Sequence, residues 1–138
     1  MFALPQRKKA GFPKYFSEHF PDVRRISCHY ALDELTQHRE KLIKASKLPA
    51  DKLDALLFET LKQVTFYDES TISPKYWEQA DQLTKDVDSK DIAFVALALQ
   101  TGGMLWTGDK KLSNHIKTMG FERVLSTAEL ALLLNIEY

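Results

Sequence analysis

Apolar residues recur along the chain at two periods, near two and near 3.6, and the switching between them predicts its elements. Residues 14–20 place Tyr15, Phe16, His19 and Phe20 near one helical face, and Pro21-Asp22 ends that segment. Residues 23–29 (VRRISCH) read as a short strand from their β-branched content and flanks. From Tyr30 to about Leu48 the pattern predicts one long helix with Leu32, Leu35, Leu42 and Ile43 as its buried stripe, interrupted by Pro49. Asp51 is placed to cap a further helix over 52–63, with Leu53, Leu56, Leu57, Thr60 and Leu61 inward. Residues 64–67 (VTFY) form a second strand, and Asp68-Glu69-Ser70 a turn. Ser73-Pro74 has the order of an N-cap followed by a first helical residue, and the helix runs to about Lys85.

The most apolar stretch comes next. Residues 89–101 (SKDIAFVALALQT) are nearly apolar through their middle, so this helix should be buried on most sides. Gly102-Gly103 stops it. Residues 104–106 (MLW) are a buried strand, Lys110 to Met119 a helix closed by Gly120, and residues 122–125 (ERVL) a last strand. Ser126-Thr127-Ala128-Glu129 has the form of a capping box and opens a final helix through Leu134. The order is β-α-α-β-α-α-β-α-β-α. Such alternation argues for an α/β fold, a parallel sheet with helices on both faces, in a single domain over 1–138.

Composition narrows the class. The 138 residues are 44% apolar and 28% charged, ordinary for a globular chain. One cysteine, Cys28, excludes an internal disulfide and a thiol cluster for zinc or iron–sulfur, and suits a reducing cytoplasm. No apolar run is long enough to span a membrane. Net charge is zero, yet residues 1–50 carry ten Lys/Arg against five Asp/Glu, and residues 51–138 carry nine against fourteen. The front half therefore suits a polyanion and the back half cations, or else the charges are a solvated surface with local scatter. The sequence holds no Gly-rich phosphate loop and no nucleophile motif, and His19, His29, His38 and His115 are scattered.

What remains is acidic. Ligands of open α/β sheets sit at the carboxyl ends of the strands. Thr107-Gly108-Asp109 leaves a strand there, Asp91 lies in the first turn of the helix feeding that strand, and Glu34 lies in the first turns of the helix after the first strand. Clustered carboxylates repel one another, and hard cations such as Mg²⁺ or Mn²⁺ take carboxylate oxygens. Thr107 is placed to orient Asp109 or to hold a metal-bound water. Each acid also has a plain structural role open to it. Asp88 can be an N-cap, Asp91 a first-turn acid favoured by the helix dipole, Asp109 a cap for the helix from Lys110, and Glu34 a partner of His38. Lys110 and Lys111, beside Asp109, are candidates for holding a scissile strand, and Arg7, Lys8 and Lys9 for contacting phosphates. Trp77 and Trp106 read as core residues.

The segment DSKDIAFVALALQTGGMLWTGDKKL resembles the C-terminal half of a PIN-domain ribonuclease, a kind common among the toxins of prokaryotic toxin–antitoxin pairs. GFERVLSTAEL is similar to that family's last strand and helix, and ALDELTQHREKL to its second acidic motif. The resemblance covers roughly residues 22–131. It implies a three-layer α/β/α domain that hydrolyses RNA phosphodiesters with Mg²⁺ or Mn²⁺. It also implies Glu34, Asp91 and Asp109 as the second, third and fourth metal-binding acids, Thr107 as the polar residue near the fourth, and Asp88 as a secondary acid. An antitoxin protein and a second copy of the chain are the implied partners. The family opens with an apolar strand ending in Asp, then Thr-Asn, and residues 1–4 (MFAL) do not match it. That central strand and first aspartate are expected in roughly ten residues upstream of Met1. Without them the expectation is a non-catalytic, PIN-like module that binds RNA or protein.

Overall fold

The computed structural model describes residues 23–87 and 89–134, which fall into two compact units, one up to Tyr67 and one from Asp68 onward. The helix expected over 14–20, together with Arg7, Lys8, Lys9 and Asp88, lies outside the described residues.

The first unit is β1 (Ile26–Cys28), α1 (Tyr30–Gln37), α2 (Arg39–Ser46), α3 (Ala50–Leu61) and β2 (Thr65–Tyr67). β1 and β2 pair in parallel with Ile26 opposite Thr65 and Cys28 opposite Tyr67. Strand-edge side chains brace the ladder: Arg24 donates to the Tyr67 hydroxyl at 3.0 Å and Arg25 to Gln63 Oε1 at 2.8 Å. Burial makes the Arg25 guanidinium less basic than usual. Ser27, Cys28, Ala31, Leu53 and Thr60 are buried here.

Two expectations are corrected in this unit. The single helix over 30–48 is two helices, broken at His38, whose φ −102° and ψ 13° leave the helical region. Thr36 just before the break turns its hydroxyl back onto the Leu32 carbonyl at 3.0 Å, a bond that bends helices. Asp51 does not cap α3. The helix starts one residue earlier, at Ala50 after Pro49, and Asp51 lies within its first turn.

The second unit is a 3₁₀ turn (Glu69–Thr71), α4 (Pro74–Thr84), a second 3₁₀ turn (Ser89–Asp91), α5 (Ile92–Thr101), β3 (Leu105–Trp106), α6 (Lys110–Thr118), β4 (Val124–Leu125) and α7 (Thr127–Leu133). Ser73 is the N-cap residue of α4 and Pro74 its first residue, as the dipeptide predicts. α5 is the centre: Ala93, Phe94, Val95, Ala96, Leu97 and Ala98 are all buried. Burying Phe94, Val95 and Leu97 contributes about 1.5–3 kcal/mol each. α4 packs on it through the fully buried, small Ala80 and Thr84 one turn apart, which lets the helices approach closely. Gly102 ends α5 at φ +72°, a conformation only glycine adopts without strain. Arg123 locks that end, donating to the Ala98 and Gly103 carbonyls at 3.3 Å each and lying over the Phe121 ring.

β3 and β4 are parallel, with Leu105 opposite Val124 and Trp106 opposite Leu125. The expected strand over 104–106 loses Met104, which precedes the ladder and is 51% exposed. The capping box is present as predicted: Ser126 Oγ accepts from the Glu129 amide and Glu129 Oε1 from the Ser126 amide, both at 3.1 Å. Every strand pair among the described residues is parallel and every connection carries a helix, so the chain is α/β as expected. Among the described residues the strands, two or three residues long, pair as two two-stranded ladders.

Candidate active site

Asp109 leaves β3 at its carboxyl end. Thr107, 1% exposed, fixes the exit: its amide donates to the Leu125 carbonyl at 3.0 Å and its Oγ1 accepts from the Asp109 amide at 3.0 Å. The Thr-Gly-Asp sequence thereby folds into a tight hydroxyl-bonded turn. Asp109 then heads α6, and its Oδ1 accepts from the Leu112 amide at 3.0 Å. The capping role open to Asp109 from sequence is therefore real. It occupies one carboxylate oxygen; Oδ2 accepts no hydrogen bond among the described residues.

Asp91 differs. It ends the 3₁₀ turn Ser89–Asp91 and stands at the N-cap position of α5, rather than inside the helix's first turn. Its backbone, at φ −91° and ψ 5°, is what delays α5 until Ile92. Its side chain makes no capping bond to the helix, yet the residue is only 6% exposed. Asp91 takes part in an interaction of its own within the fold, as a buried polar group must, so its burial is not explained by capping the helix it heads.

Topology sets Asp91 and Asp109 at one end of the unit. α5 rises about 15 Å over its length. After the Gly102 turn the chain climbs back about 16 Å over residues 103–107 at strand rise. β3 packs on α5, so the strand's exit returns to the level of the helix's start. Lys110 and Lys111 follow at once on the first turn of α6, both exposed. β4 ends beside Thr107 and delivers Ser126 and Glu129 to the same carboxyl edge. Hydrogen bonds from the Ser126 amide and then its hydroxyl, with Lys117 adding a favourable charge, hold the Glu129 carboxyl below its usual range.

Glu34 belongs to the first unit, in the middle of α1 and half-exposed, with its carbonyl accepting from the His38 amide at 2.9 Å. No group of three or more His, Cys, Asp or Glu side chains that could hold a metal ion occurs among the described residues. The donors that Asp91, Thr107 and Asp109 offer are carboxylate and hydroxyl oxygens, which fit a hard divalent cation and not a soft one. Three supporting residues were missed in the sequence. Thr127 Oγ1 accepts from Trp106 Nε1 at 3.0 Å, tying β3 to the head of α7. Gln100 reaches from α5 to the Ser73 amide at 2.7 Å and the Thr71 carbonyl at 3.4 Å. Arg123 ties β4 to the end of α5. All three are long-range bonds, and no local pattern signals them.

No helix among the described residues is long and apolar enough to cross a membrane. Neither the comparison with curated proteins nor that with solved structures gives a match. A family model does match, described as PIN domain, over residues 12–129, which runs through both units and takes in Glu34, Asp91, Thr107 and Asp109. PIN domains are a nuclease-type family that generally acts on RNA with divalent metal ions. With 12–129 matched out of 138 residues, the chain belongs to the PIN-domain family.

Proposed function

We propose that this PIN domain is a metal-dependent endoribonuclease of the cytoplasm, the toxin-like member of a toxin–antitoxin pair. The observation that carries the reading is Asp91, a buried carboxylate at a helix head that does not cap its helix. Together with Asp109 at the strand exit it supplies acids on one end of one unit. Asp91 and Asp109 would hold Mg²⁺ or Mn²⁺, and Glu34 and the secondary Asp88 are the further acids that the family resemblance implies. Bound there, the ion supplies Lewis-acid stabilisation of the phosphoryl oxygens and an activated water.

The chain's own residues have separable roles. Thr107 holds the Asp109 backbone through its hydroxyl, which fixes where the carboxylate stands. Asp109 is a shared group, one oxygen for the helix and one for the site. Lys110 and Lys111 hold the phosphates flanking the scissile bond, where positioning rather than proton transfer is asked of the protein. An antitoxin protein and a second copy of the chain are proposed partners.

A second reading is a non-catalytic PIN-like module that binds RNA or protein. It is favoured by the capping bond of Asp109, which explains that acid without any ion. Cleavage of single-stranded RNA with Mn²⁺ by wild type, Asp91→Asn and Asp109→Asn separates the two. The nuclease reading expects cleavage by wild type alone, and equal activity in all three removes the site assignment.

A further inference from the structure

We infer that the solvent face of α2 is a binding surface for the phosphate backbone of a single-stranded nucleic acid, carried by Lys41, Lys44 and Lys47. The inference rests on the nuclease reading and adds to it a further place where the strand is gripped.

α2 buries none of its residues. Leu42 and Ile43 are half-buried on one side, and Lys41 and Lys44 fall on the opposite side, about 60° apart around the axis. Their β-carbons stand about 5–6 Å apart, as for any i,i+3 pair. Lys47 follows at the C-cap, and all three are exposed. Arg39 pairs with Asp54 of α3 at 2.8 Å and with the exposed Glu40 at 3.6 Å. Lys41, Lys44 and Lys47 enter no ion pair among the described residues.

Helix stability does not account for this row. A cation near a helix C-terminus is favoured by the dipole, which explains Lys44. Lys41 lies in the first turn, where the dipole disfavours a cation. Lys47 sits at φ 58° and ψ 18°, the left-handed C-cap at which glycine is the least strained residue. Two of the three lysines therefore stand where the fold alone would choose otherwise.

The occupant follows from the chemistry of the face. Protein-docking surfaces are depleted in lysine and carry aromatic or large apolar anchors. No residue of α2 is an exposed large hydrophobe. A repeating anion met by repeating long-armed cations is what the face fits. From Glu34 to Lys47 the helical chain extends at most about 20 Å. An extended single strand advances further per phosphate than the about 3.4 Å of a duplex strand, so fewer than about six nucleotides cover that distance.

The test measures binding by fluorescence anisotropy of labelled single-stranded RNA, and of DNA of the same sequence, about 12 nucleotides long, in EDTA. Wild type is compared with the triple variant Lys41→Gln, Lys44→Gln, Lys47→Gln. A triple Lys→Arg variant at the same positions and a control (Lys75→Gln, Lys85→Gln, Lys117→Gln) with the same charge change complete the set. Losing three phosphate contacts should flatten the slope of log K against log salt by about 2, at about 0.7 per contact on a single strand. RNA and DNA should be affected alike, and the arginine variant should bind as wild type. An unchanged slope, an equal loss in the control, a loss confined to one nucleic acid, or no binding by wild type overturns the inference. Because the assay contains no metal, failed cleavage removes the nuclease reading without touching this result.

Discussion

Asp109 is doubly employed, and its two roles can be pulled apart. The structure gives one oxygen to the Leu112 amide at 3.0 Å and leaves the other for the site. Asn and Ser are as good as Asp at an N-cap, whereas Ala cannot accept the bond. Asp109→Ala should therefore cost about 1 kcal/mol, within roughly 0.5–2. For a chain of this length that lowers Tm by about 3–5 °C. Asp109→Asn and Asp109→Ser should lose only the charge–dipole part, about 0.3–1 kcal/mol. Activity should divide differently. An ion in such a site supplies several kcal/mol at the transition state, and each 1.36 kcal/mol is tenfold in rate. All three variants should then cleave RNA about 10²-fold more slowly or worse. The assay pairs thermal unfolding in metal-free buffer with Mn²⁺-dependent cleavage. If Asp109→Asn or Asp109→Ser cleaves at the wild-type rate, Asp109 is a cap and nothing more. If Asp109→Ala melts with Asp109→Asn, the capping bond carries no stability and the geometry has been misread.

Four further outcomes follow from single residues. Phe94→Ala, at a site 2% exposed in α5, should lower stability by about 3–5 kcal/mol, read as the urea midpoint. Lys47→Gly relieves the left-handed C-cap at φ 58° and should raise stability by about 0.5–1 kcal/mol while weakening RNA binding, a split that a purely structural lysine would not show. Thr107→Val keeps the volume but removes the acceptor for the Asp109 amide; it should lower the cleavage rate while the protein stays folded by circular dichroism. Glu129 gives a pH signature. Its folded-state pKa lies below the ordinary 4.5, so its contribution is complete above that value and is lost as pH falls through the depressed one. The urea midpoint of Glu129→Gln, which keeps the hydrogen bond without the charge, should fall less than that of wild type on going from pH 6 to about pH 3.

The parts legible in the sequence are those decided within a few residues. The apolar run 92–99 can only be a buried helix, and Gly102 can only be its stop; both are found. Ser73-Pro74 and the Ser126–Glu129 capping box are local bonding patterns and are found in place. Asp109 was legible as cap or ligand, and its cap bond is present. What the sequence hid depends on competition between neighbours. The break at His38 has no glycine or proline to announce it; it arises where Thr36 bonds back to Leu32. The 3₁₀ turn before α5 hides in the same way, because nothing in Ser89-Lys90-Asp91 separates a 3₁₀ start from an α start. The Trp106–Thr127, Gln100–Ser73 and Arg123–Ala98 bonds join residues 21 to 27 apart and exist only once the core has formed. The family resemblance, read over roughly 22–131, was carried by the segment from Asp88 to Leu112, and the matched span 12–129 begins ten residues earlier.

The central claim is that Asp91 serves a metal-dependent nuclease site rather than its own helix. Cleavage of a single-stranded RNA should be measured for wild type and Asp91→Asn, each with Mn²⁺ and with EDTA, after matched circular dichroism spectra show both folded. The account predicts cleavage by wild type with Mn²⁺ alone, abolished by EDTA and absent in Asp91→Asn. Intact RNA with wild type and Mn²⁺, or equal cleavage by Asp91→Asn, would contradict it.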